Sequence, residues 1–446
     1  MEQQHMFTNR MIRNLLVPVV LEQILNSIMG TADTMMVSNV GSAALSAVSL
    51  VDSINILLIQ AFSALAAGGA IVCAQYIGQK NYEKANMSAR QVLFIITAIS
   101  VAVSAVCLIF QKPLLRLIFG SVEADVMRAS ETYFFFTALS FPFIASYDAA
   151  ASIFRAQENT KGPMIISMIS NVMNIGGNAV LIWVFHLGVA GAAISTLVSR
   201  IFCAVVVLWQ LRKDRQPVVV RDYLKIRPDW SMIGRILGLG IPSGIENSMF
   251  QLGKLAIQST FSTLGTAAIA AQAMTNILEN LNGIAAIGVG VGLMTIVGQC
   301  LGAGRKDEAV YYIKKLSVIA EVAIIVSCLL VFALIRPVTV LGGMEPASAK
   351  MCFHMVIWIT IVKPIVWTLA FIPAYGLRAA GDVKFSMAAS CITMWLCRFC
   401  LCVILIRFLE FGTMGVWIGM FADWTVRAVI FTWRFHSRRW LRYKVI

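Results

Sequence analysis

Charged residues are scarce in this sequence, since Asp, Glu, Lys and Arg make up only 13% of its 446 residues. A soluble domain carries about 25%. Hydrophobic residues make up 59% of the chain, and the mean hydropathy is +0.80. This balance excludes an ordinary soluble domain. The chain also has no runs in which apolar and polar residues alternate with the period of a strand, which argues against a transmembrane β-barrel.

Patterns that signal catalysis or metal binding are also missing. Cys397, Cys400 and Cys402 lie close together but have no His or second Cys pair beside them, so we predict no metal site. The segment Gly288-Val-Gly-Val-Gly292 lies inside an apolar run with no strand before it, which favours helix packing over nucleotide binding. Without a Walker motif or a Ser/His/Asp or Cys/His set, we expect neither an enzyme nor ATP hydrolysis, and no cofactor. The ten cysteines fall almost all within apolar runs, which predicts no disulfide framework.

Long apolar runs dominate the chain, and twelve of them approach or exceed the ~20 residues that a helix needs to cross a bilayer. They cover residues 14–38, 44–76, 88–110, 130–154, 163–185, 189–210, 232–261, 266–299, 310–335, 352–376, 385–408 and 413–434. The polar start of the chain is not followed by a small-residue cleavage site, so we expect the first run to be a span and not a cleaved signal peptide. The sequence therefore predicts an all-α integral membrane protein with twelve transmembrane helices.

The second half of the chain repeats the first at a constant offset. Pro18 and Glu22, for example, reappear as Pro242 and Glu246. Such a duplication in an apolar chain is typical of membrane transporters, and six spans in each half predict parallel repeats about a pseudo-twofold axis along the membrane normal. The predicted segments are an N-lobe of helices 1–6 (1–211), a cytoplasmic linker (212–230) and a C-lobe of helices 7–12 (231–446).

The net charge of +14 is concentrated in the termini and in the loops that lie on their side of the membrane. Basic loops mark the cytoplasmic side. We therefore predict a multi-pass protein of the cell (inner) membrane with both termini in the cytoplasm. Because the basic residues lie in the termini and loops of a predicted membrane protein, we expect no nucleic-acid binding.

Ionisable residues within a span cost about 2.5–3.5 kcal/mol each at the helix centre, so each one is a candidate for function. The acids are Glu22, Asp33, Asp52, Asp148, Glu246, Glu279, Glu321 and Asp423, and the bases are Arg200, Lys254, Lys363, Arg398 and Arg427. Asp423 and Arg427 are four residues apart on one helix, which predicts an ion pair between them. Asp52 and Asp148 are candidates for a substrate or proton site, with a purely structural role as the alternative.

The first helix carries a polar stripe, since Glu22, Asn26 and Asp33 share one face and the two acids lie about 20° apart around the axis. Two later helices add further polar side chains: Asn171, Asn174, Asn178 and Thr196. Carboxylate, carboxamide and hydroxyl oxygens suit a hard cation such as Na⁺, and a lone carboxylate there can instead carry a proton. The alternative is that the asparagines form interhelical hydrogen bonds.

The second half offers an acidic site of its own. Glu246 lies one turn after Pro242, and Thr275, Glu279 and Asn282 form a polar face on the eighth helix. An enclosed acid among Met and Phe side chains suits an organic cation. The alternative is a buried Glu–Lys pair, in which Lys254 neutralises one of the two glutamates.

Several segments of the sequence resemble the multidrug and toxic compound extrusion (MATE) family. The first helix, from Pro18 through Asp33 to Gly41, is similar to the family's Pro…Asp-x-x-x-Val-x-x-x-Gly start. The paired helix ends Gln75-Tyr-Ile-Gly78 and Gln299-Cys-Leu-Gly302 resemble those of the family, as do the loops at Arg155-Ala and Leu377-Arg378-Ala-Ala-Gly-Asp382. The resemblance covers the whole chain and its repeat.

The resemblance implies a V-shaped pair of six-helix lobes around a central cavity. It also implies that Asp33, Asn174, Asn178 and Thr196 line a cation site in the N-lobe, and that Glu246 matches the acid on the seventh helix of the C-lobe. The chain departs from the family at two places. Asn178 stands where some branches have an acid, and residues 364–375 lack the Asp that another branch has on the tenth helix, for which Glu279 would substitute.

The function that this implies is secondary active antiport by alternating access, in which lipophilic organic cations and drugs leave in exchange for Na⁺ or H⁺. We expect a monomer in contact with membrane lipids, with Glu22, Glu246, Glu279, Asp52 and Asp148 as substrate or proton candidates. The alternative is a flippase of the same superfamily that moves a lipid-linked or zwitterionic substrate. An anionic substrate would require a basic cavity, whereas acids outnumber bases within the spans of this chain.

Overall fold

The computed structural model describes residues 4–446, and this part of the chain is helical and contains no β-strand. The helices of the first half are α1 (Asn9–Ser38), α2 (Ser42–Gly78), α3 (Tyr82–Ile109), α4 (Gln111–Phe119), α5 (Ala124–Leu139), α6 (Phe141–Ala156), α7 (Lys161–Asn178) and α8 (Val189–Leu211). A π-helical turn, Ala179–Val184, extends α7. The apolar runs form helices because every backbone group within a bilayer must be hydrogen-bonded inside its own segment.

The second half has the same order of helices. They are α9 (Trp230–Phe261), α10 (Thr266–Gly302), α11 (Lys306–Leu341), α12 (Pro346–Ala379), α13 (Val383–Ile392), α14 (Leu401–Arg407) and α15 (Met414–His436). A π-helical segment, Thr393–Cys400, joins α13 to α14. Short 3-10 turns lie at Tyr223–Lys225, Ser262–Leu264 and Arg439–Arg442.

Within residues 4–446, ten helices are long and apolar enough to cross a membrane, and α5 and α6, bent by 41° at Ser140, would form an eleventh span together. The remaining predicted run coincides with α9, which has 32 residues but is more polar, since it contains Glu246 and Lys254. Each of the twelve predicted runs therefore coincides with a helix, a continued helix or a bent pair. The predicted all-α membrane fold is confirmed.

The sequence repeat is also visible in the backbone. Helices α2 and α10 have the same length, 37 residues, and both ends of α10 fall at the positions that repeat the ends of α2. Both start after a glycine with positive φ, Gly41 at 147° and Gly265 at 100°. Gly188 and Gly412, which precede α8 and α15, have φ of 61° and 63°. Because residues other than glycine rarely adopt these angles, the repeat fixes the turns between spans as well as the spans.

Contacts divide the chain into two compact units. The N-unit comprises Arg13–Gly244 together with Ile446, and the C-unit comprises Met1–Ile12, described from residue 4, and Ile245–Val445. The division falls inside α9, and not in the predicted linker 212–230. That linker contributes to the N-unit: Val218 and Val220 are buried, and the Val218 amide donates to Gln157 Oε1 at 3.0 Å. The lobes predicted as 1–211 and 231–446 stay a prediction.

In the N-unit, α2 is the central helix and packs against α3, α5 and α6. The first part of α9 lies on α2 where two glycines meet, because a Cβ on Gly68 would be 2.7 Å from the Gly240 nitrogen. In the C-unit, α10 packs against α11 and α12, and α12 packs against α15. Close approach through small residues is how helices associate in a membrane, where lipid tails are as apolar as the side chains.

The start of the chain packs on the C-unit. The Phe7 amide donates to Tyr312 Oη at 2.8 Å, and the Tyr312 hydroxyl donates back to the Phe7 carbonyl at 2.8 Å. The N-unit holds the start of α9 in an equivalent way, since the Gln91 side chain bonds the Arg227 carbonyl at 2.8 Å and the Asp229 amide at 3.0 Å. The segment that leads into the first helix of each repeat is thus held by α3 or by its repeat α11.

Candidate functional site

Asp33 lies in the second half of α1 and bonds to a neutral partner. Asn178, at the end of α7, donates its Nδ2 to Asp33 Oδ1. Asn178 is fully buried, and its own Oδ1 accepts no hydrogen bond from residues 4–446. A buried acceptor without a donor is costly. A carboxylate beside such an oxygen is an arrangement that a proton or a small cation would satisfy.

Two further acids of the N-unit also bond to neutral groups. Asp52 Oδ1 on α2 accepts from Asn55 Nδ2 at 3.3 Å and from the Tyr133 hydroxyl at 3.1 Å. Asp148 Oδ2 on α6 accepts from Ser63 Oγ at 2.6 Å. These bonds hold the carboxylates in place without neutralising their charge.

Arg200 on α8 is the base of this cluster. It acts electrostatically on Asp33, Asp52 and Asp148. Within residues 4–446, however, it has no carboxylate oxygen within the 4.0 Å of an ion pair, and its Nη1 donates to Ser140 Oγ at 2.6 Å. Arg155, which pairs with Glu22, also acts on Asp148. The three carboxyl groups of the cluster therefore share one guanidinium that is not paired with another acid.

The predicted asparagine face of α7 is divided among several partners. Asn171 Nδ2 donates to Asn26 Oδ1 at 2.7 Å, whereas Asn174 Oδ1 accepts from Ser195 Oγ at 3.2 Å. Thr196 is buried on α8. Of the predicted set, Asn178 is the residue that the structure bonds to Asp33. The alternative interpretation, interhelical hydrogen bonding, describes Asn171 and Asn174.

Glu22 and Glu246, the repeated glutamates, are both in buried ion pairs. Arg155 Nη2 lies 3.0 Å from Glu22 Oε1, and Arg378 Nη2 lies 2.6 Å from Glu246 Oε1. Sequence reasoning placed both arginines in loops, but the structure places them in the last turns of α6 and α12. A guanidinium already compensates each of these two predicted substrate or proton acids.

Glu279 on α10 pairs with Lys363 on α12, with Nζ 2.7 Å from Oε1. The Lys363 ammonium is fully buried and also donates to the Glu279 carbonyl at 3.0 Å. In the alternative interpretation Lys254 was the partner of Glu246 or Glu279, and this assignment is wrong, because Arg378 and Lys363 form these ion pairs. A buried Glu–Lys pair does exist, but with a different lysine.

Asp423 and Arg427 form the predicted i, i+4 pair, with Nη2 3.2 Å from Oδ1. Arg398 lies 3.9 Å from the other oxygen of Asp423. Sequence reasoning missed the pair between Asp382 and Arg434, whose Nε lies 2.8 Å from Oδ2. The sequence does contain an indication of this pair. Asp382 is the last residue of the loop segment that resembles the MATE family, and Arg434 is the first residue of the basic C-terminal stretch.

The C-unit contains an apolar cavity of about 410 Å³ between α9 and the α13 segment. Its lining residues are Ile245, Met249, Met387, Ala388, Cys391 and Trp395. Met and Trp side chains adapt to apolar and aromatic ligands of varied shape. Among residues 4–446, no group of three or more His, Cys, Asp or Glu side chains is placed to hold a metal ion.

A family model matches both repeats of the chain. The MatE model matches residues 18–180 and again residues 242–404, more than half of the sequence. The first match begins at Pro18 and the second at Pro242, so the two matches are separated by the same offset as the sequence repeat.

Relatives and solved structures agree with this match. The chain is 25% identical over 441 residues to the probable multidrug resistance protein NorM of Thermotoga maritima, covering 97% of this chain and 93% of the relative. It is 27% identical to the uncharacterized transporter YisQ of Bacillus subtilis, covering 95% and 93%. A multidrug resistance MATE transporter of the MOP superfamily, solved in an outward-facing conformation, superposes with a TM-score of 0.90 at 18% identity over 96% of this chain and 95% of that one. A MOP superfamily transporter from Pyrococcus furiosus, described as having a binding pocket of reverse polarity, superposes with a TM-score of 0.87 at 18% identity over 96% and 95%. With both repeats matched, this chain belongs to the MatE family of multidrug efflux transporters.

Proposed function

We propose that this protein is a secondary active antiporter that exports lipophilic organic cations in exchange for Na⁺ or H⁺, and that Asp33 carries the coupling ion. The observation that supports this most directly is the local environment of Asp33. Its carboxylate, on a membrane-spanning helix, bonds to the buried amide of Asn178 and has no basic side chain within 4.0 Å among residues 4–446.

The other intramembrane acids support Asp33 by contrast. Glu22, Glu246, Glu279 and Asp423 each have a basic partner at an ion-pairing distance. An acid that is held by a guanidinium or ammonium needs no further cation. Among residues 4–446, Asp33, Asp52 and Asp148 lack such a partner, and so does Glu321 in the C-unit. The charge of the three N-unit acids must then be balanced by arginines at longer range, by a proton or by a bound cation.

Among the three acids of the N-unit cluster, Asp33 is the preferred coupling acid because of its position. It lies on α1, which contains Pro18 and therefore lacks one backbone hydrogen bond in its first half. Its partner Asn178 lies where α7 changes to a π-helical turn. Proline residues and π-helical turns are common positions of helix kinks, and π-helical turns occur often at functional sites.

The proposed cycle depends on differential affinity. When Asp33 is unoccupied, its charge favours the state that accepts a cationic substrate from the cytoplasm. Binding of Na⁺ or a proton at Asp33 removes that charge and favours release of the substrate on the other side. A ligand shifts a conformational equilibrium only by the difference in its affinity for the two states. A titratable or Na⁺-binding acid provides that difference.

The test is transport of a fluorescent lipophilic cation in proteoliposomes, driven by a Na⁺ gradient and by a pH gradient separately. We expect Asp33→Asn to reduce the driven rate at least tenfold, because asparagine keeps the size of the side chain and loses its charge. Asp125→Asn is the matched control, since Asp125 lies in α5 with its side chain 80% exposed. The melting temperatures of both variants should stay near that of the wild type.

The gradient that drives transport identifies the ion. Transport driven by Na⁺ at equal pH would assign Na⁺ to the oxygens of Asp33 and Asn178, and transport driven by pH alone would assign a proton to Asp33. Driven transport that survives Asp33→Asn but is lost in Asp52→Asn or Asp148→Asn would move the coupling site to that acid.

A further inference from the structure

Positive charge exceeds negative charge in one cluster of ionisable side chains in the C-unit. Four basic side chains, Lys254, Lys363, Arg398 and Arg427, lie near two acids, Glu279 and Asp423. Lys363 is paired with Glu279 at 2.7 Å, and Arg427 with Asp423 at 3.2 Å. Two positive charges therefore remain without a carboxylate of their own, which is the opposite of the acidic cluster in the N-unit.

Lys254 is the less compensated of these two. Within residues 4–446 no carboxylate oxygen lies within 4.0 Å of its ammonium, and Glu279 acts on it only at longer range. Helix α9 buries Glu246, Ile257 and Phe261, and Lys254 lies on the same face by helical spacing, yet its side chain is exposed. A charge on the packed face of a span must face water or a ligand and not lipid.

Lys254 and Arg398 meet at one aromatic ring. The Lys254 ammonium lies 4.8 Å from the centre of the Phe250 ring, and the Arg398 guanidinium lies 5.2 Å from it. The two cations repel each other, and the nearest acid to Arg398, Asp423, is 3.9 Å away and shared with Arg427. An anion bound between Lys254 and Arg398 would relieve this repulsion and compensate both charges.

The apolar cavity of about 410 Å³ is separate from this pair, since neither Lys254 nor Arg398 lines it. Its α9 residues Ile245 and Met249 lie nine and five positions before Lys254, which places them about 180° and about 140° from Lys254 around the helix axis. The apolar group beside the two cations is therefore the Phe250 ring.

We propose that Lys254 and Arg398 form an anion-binding subsite at the Phe250 ring, so that the substrates of the protein include amphiphiles with a carboxylate or phosphate group next to an aromatic or apolar body. That these amphiphiles are transported rests on the proposed function, whereas their binding at the subsite does not depend on it. The anion could come from a free amphiphile or from the head group of an anionic lipid, and the two sources have the same chemistry at the subsite.

The test uses a matched pair of dyes, rhodamine B and its ethyl ester, which differ in one carboxylate. Their affinity for the purified full-length protein in detergent is measured by fluorescence polarisation. We expect the wild type to bind the acid at least tenfold more tightly than the ester, about 1.4 kcal/mol. Lys254→Gln should remove this preference by weakening binding of the acid while binding of the ester stays within twofold.

Lys350→Gln is the matched control, because Lys350 is an exposed lysine in the first turns of α12, and it should keep the preference. Lys254→Gln is the decisive variant, since Lys254 has no ion-pair partner within residues 4–446 whose loss would disturb the fold. Equal affinity of the wild type for the two dyes, or an equal change for both dyes in Lys254→Gln, would overturn the proposal.

A second arm identifies the source of the anion. Phosphatidylglycerol that displaces rhodamine B from the wild type, where phosphatidylcholine does not, would support the subsite with a lipid head group as its ligand. Dye binding requires no gradient. A preference for the acid that depends on Lys254, found together with no driven transport, would therefore support the subsite and contradict the antiport mechanism alone.

Discussion

The buried pairs Glu22–Arg155 and Glu246–Arg378 show how single residues determine stability in this fold. Each acid lies in the first helix of a repeat, and each arginine lies at the end of the repeat's fourth predicted span. A buried ion pair adds little compared with an apolar pair of the same size, but removing one partner leaves a charge uncompensated. The two arginines therefore stabilise the fold by neutralising the glutamates.

We expect Arg378→Gln to destabilise the protein by about 3–5 kcal/mol, because Glu246 would remain charged and buried without a partner. The double variant Glu246→Gln/Arg378→Gln should recover most of this loss. Thermal unfolding in detergent, followed by scanning fluorimetry, measures both. A single variant that melts like the wild type, or a double variant less stable than the single one, would contradict the neutralising role.

At the scale of elements, the contact between α2 and α9 depends on the absence of side chains. A Cβ on Gly240 would lie 2.9 Å from Leu65 Cα, which is closer than van der Waals contact allows. Gly238 lies close to that contact on the same helix, and a Cβ there would have no atom within 4 Å. Substituting each glycine in turn therefore distinguishes the effect of close packing against α2 from the effect of helix propensity.

We expect Gly240→Ala to lower the melting temperature, because the added methyl group pushes α9 away from α2. Gly238→Ala should leave the melting temperature unchanged or raise it, since alanine favours a helix over glycine by about 1 kcal/mol. Scanning fluorimetry of both variants makes the comparison. If both substitutions shift the melting temperature in the same direction by the same amount, the close contact is not what holds the two helices together.

At the scale of the whole molecule, the repeat and the charge distribution predict the membrane topology. Six predicted spans in each half would return the chain to the side from which it started, and the basic stretches 212–235 and 434–444 would then lie on that side. Lys and Arg in short loops keep their side of the membrane cytoplasmic. Both termini and the linker are therefore proposed to be cytoplasmic.

Fusions to alkaline phosphatase, which is active only outside the cytoplasm, test this topology in bacterial cells. A fusion after Gly343, between α11 and α12, should be active, and a fusion after Tyr443 should be inactive. A fluorescent protein that matures only in the cytoplasm should be fluorescent when it is fused after Tyr443. Activity of the phosphatase at Tyr443 would place the C-terminus on the outer side and overturn the proposed orientation.

The helices could be predicted from the sequence because hydropathy is a local property. The pair Asp423–Arg427 could also be predicted, since its residues are four apart on one helix. The partners of Glu246 and Glu279 could not. Arg378 and Lys363 are 132 and 84 residues away from them. From the sequence alone, Lys254 is an equally good candidate for either ion pair.

The sequence by itself determined the membrane class, the twelve apolar runs, the duplication and the family, because each of these depends on composition or on periodicity along the chain. Only the tertiary structure decided which buried charges neutralise each other. It assigned bases to Glu22, Glu246 and Glu279, and it left Asp33 with an amide and Lys254 with an aromatic ring. The physical reason is that electrostatic energy depends on distances in space, and in a helical bundle side chains that are far apart in the sequence can become neighbours.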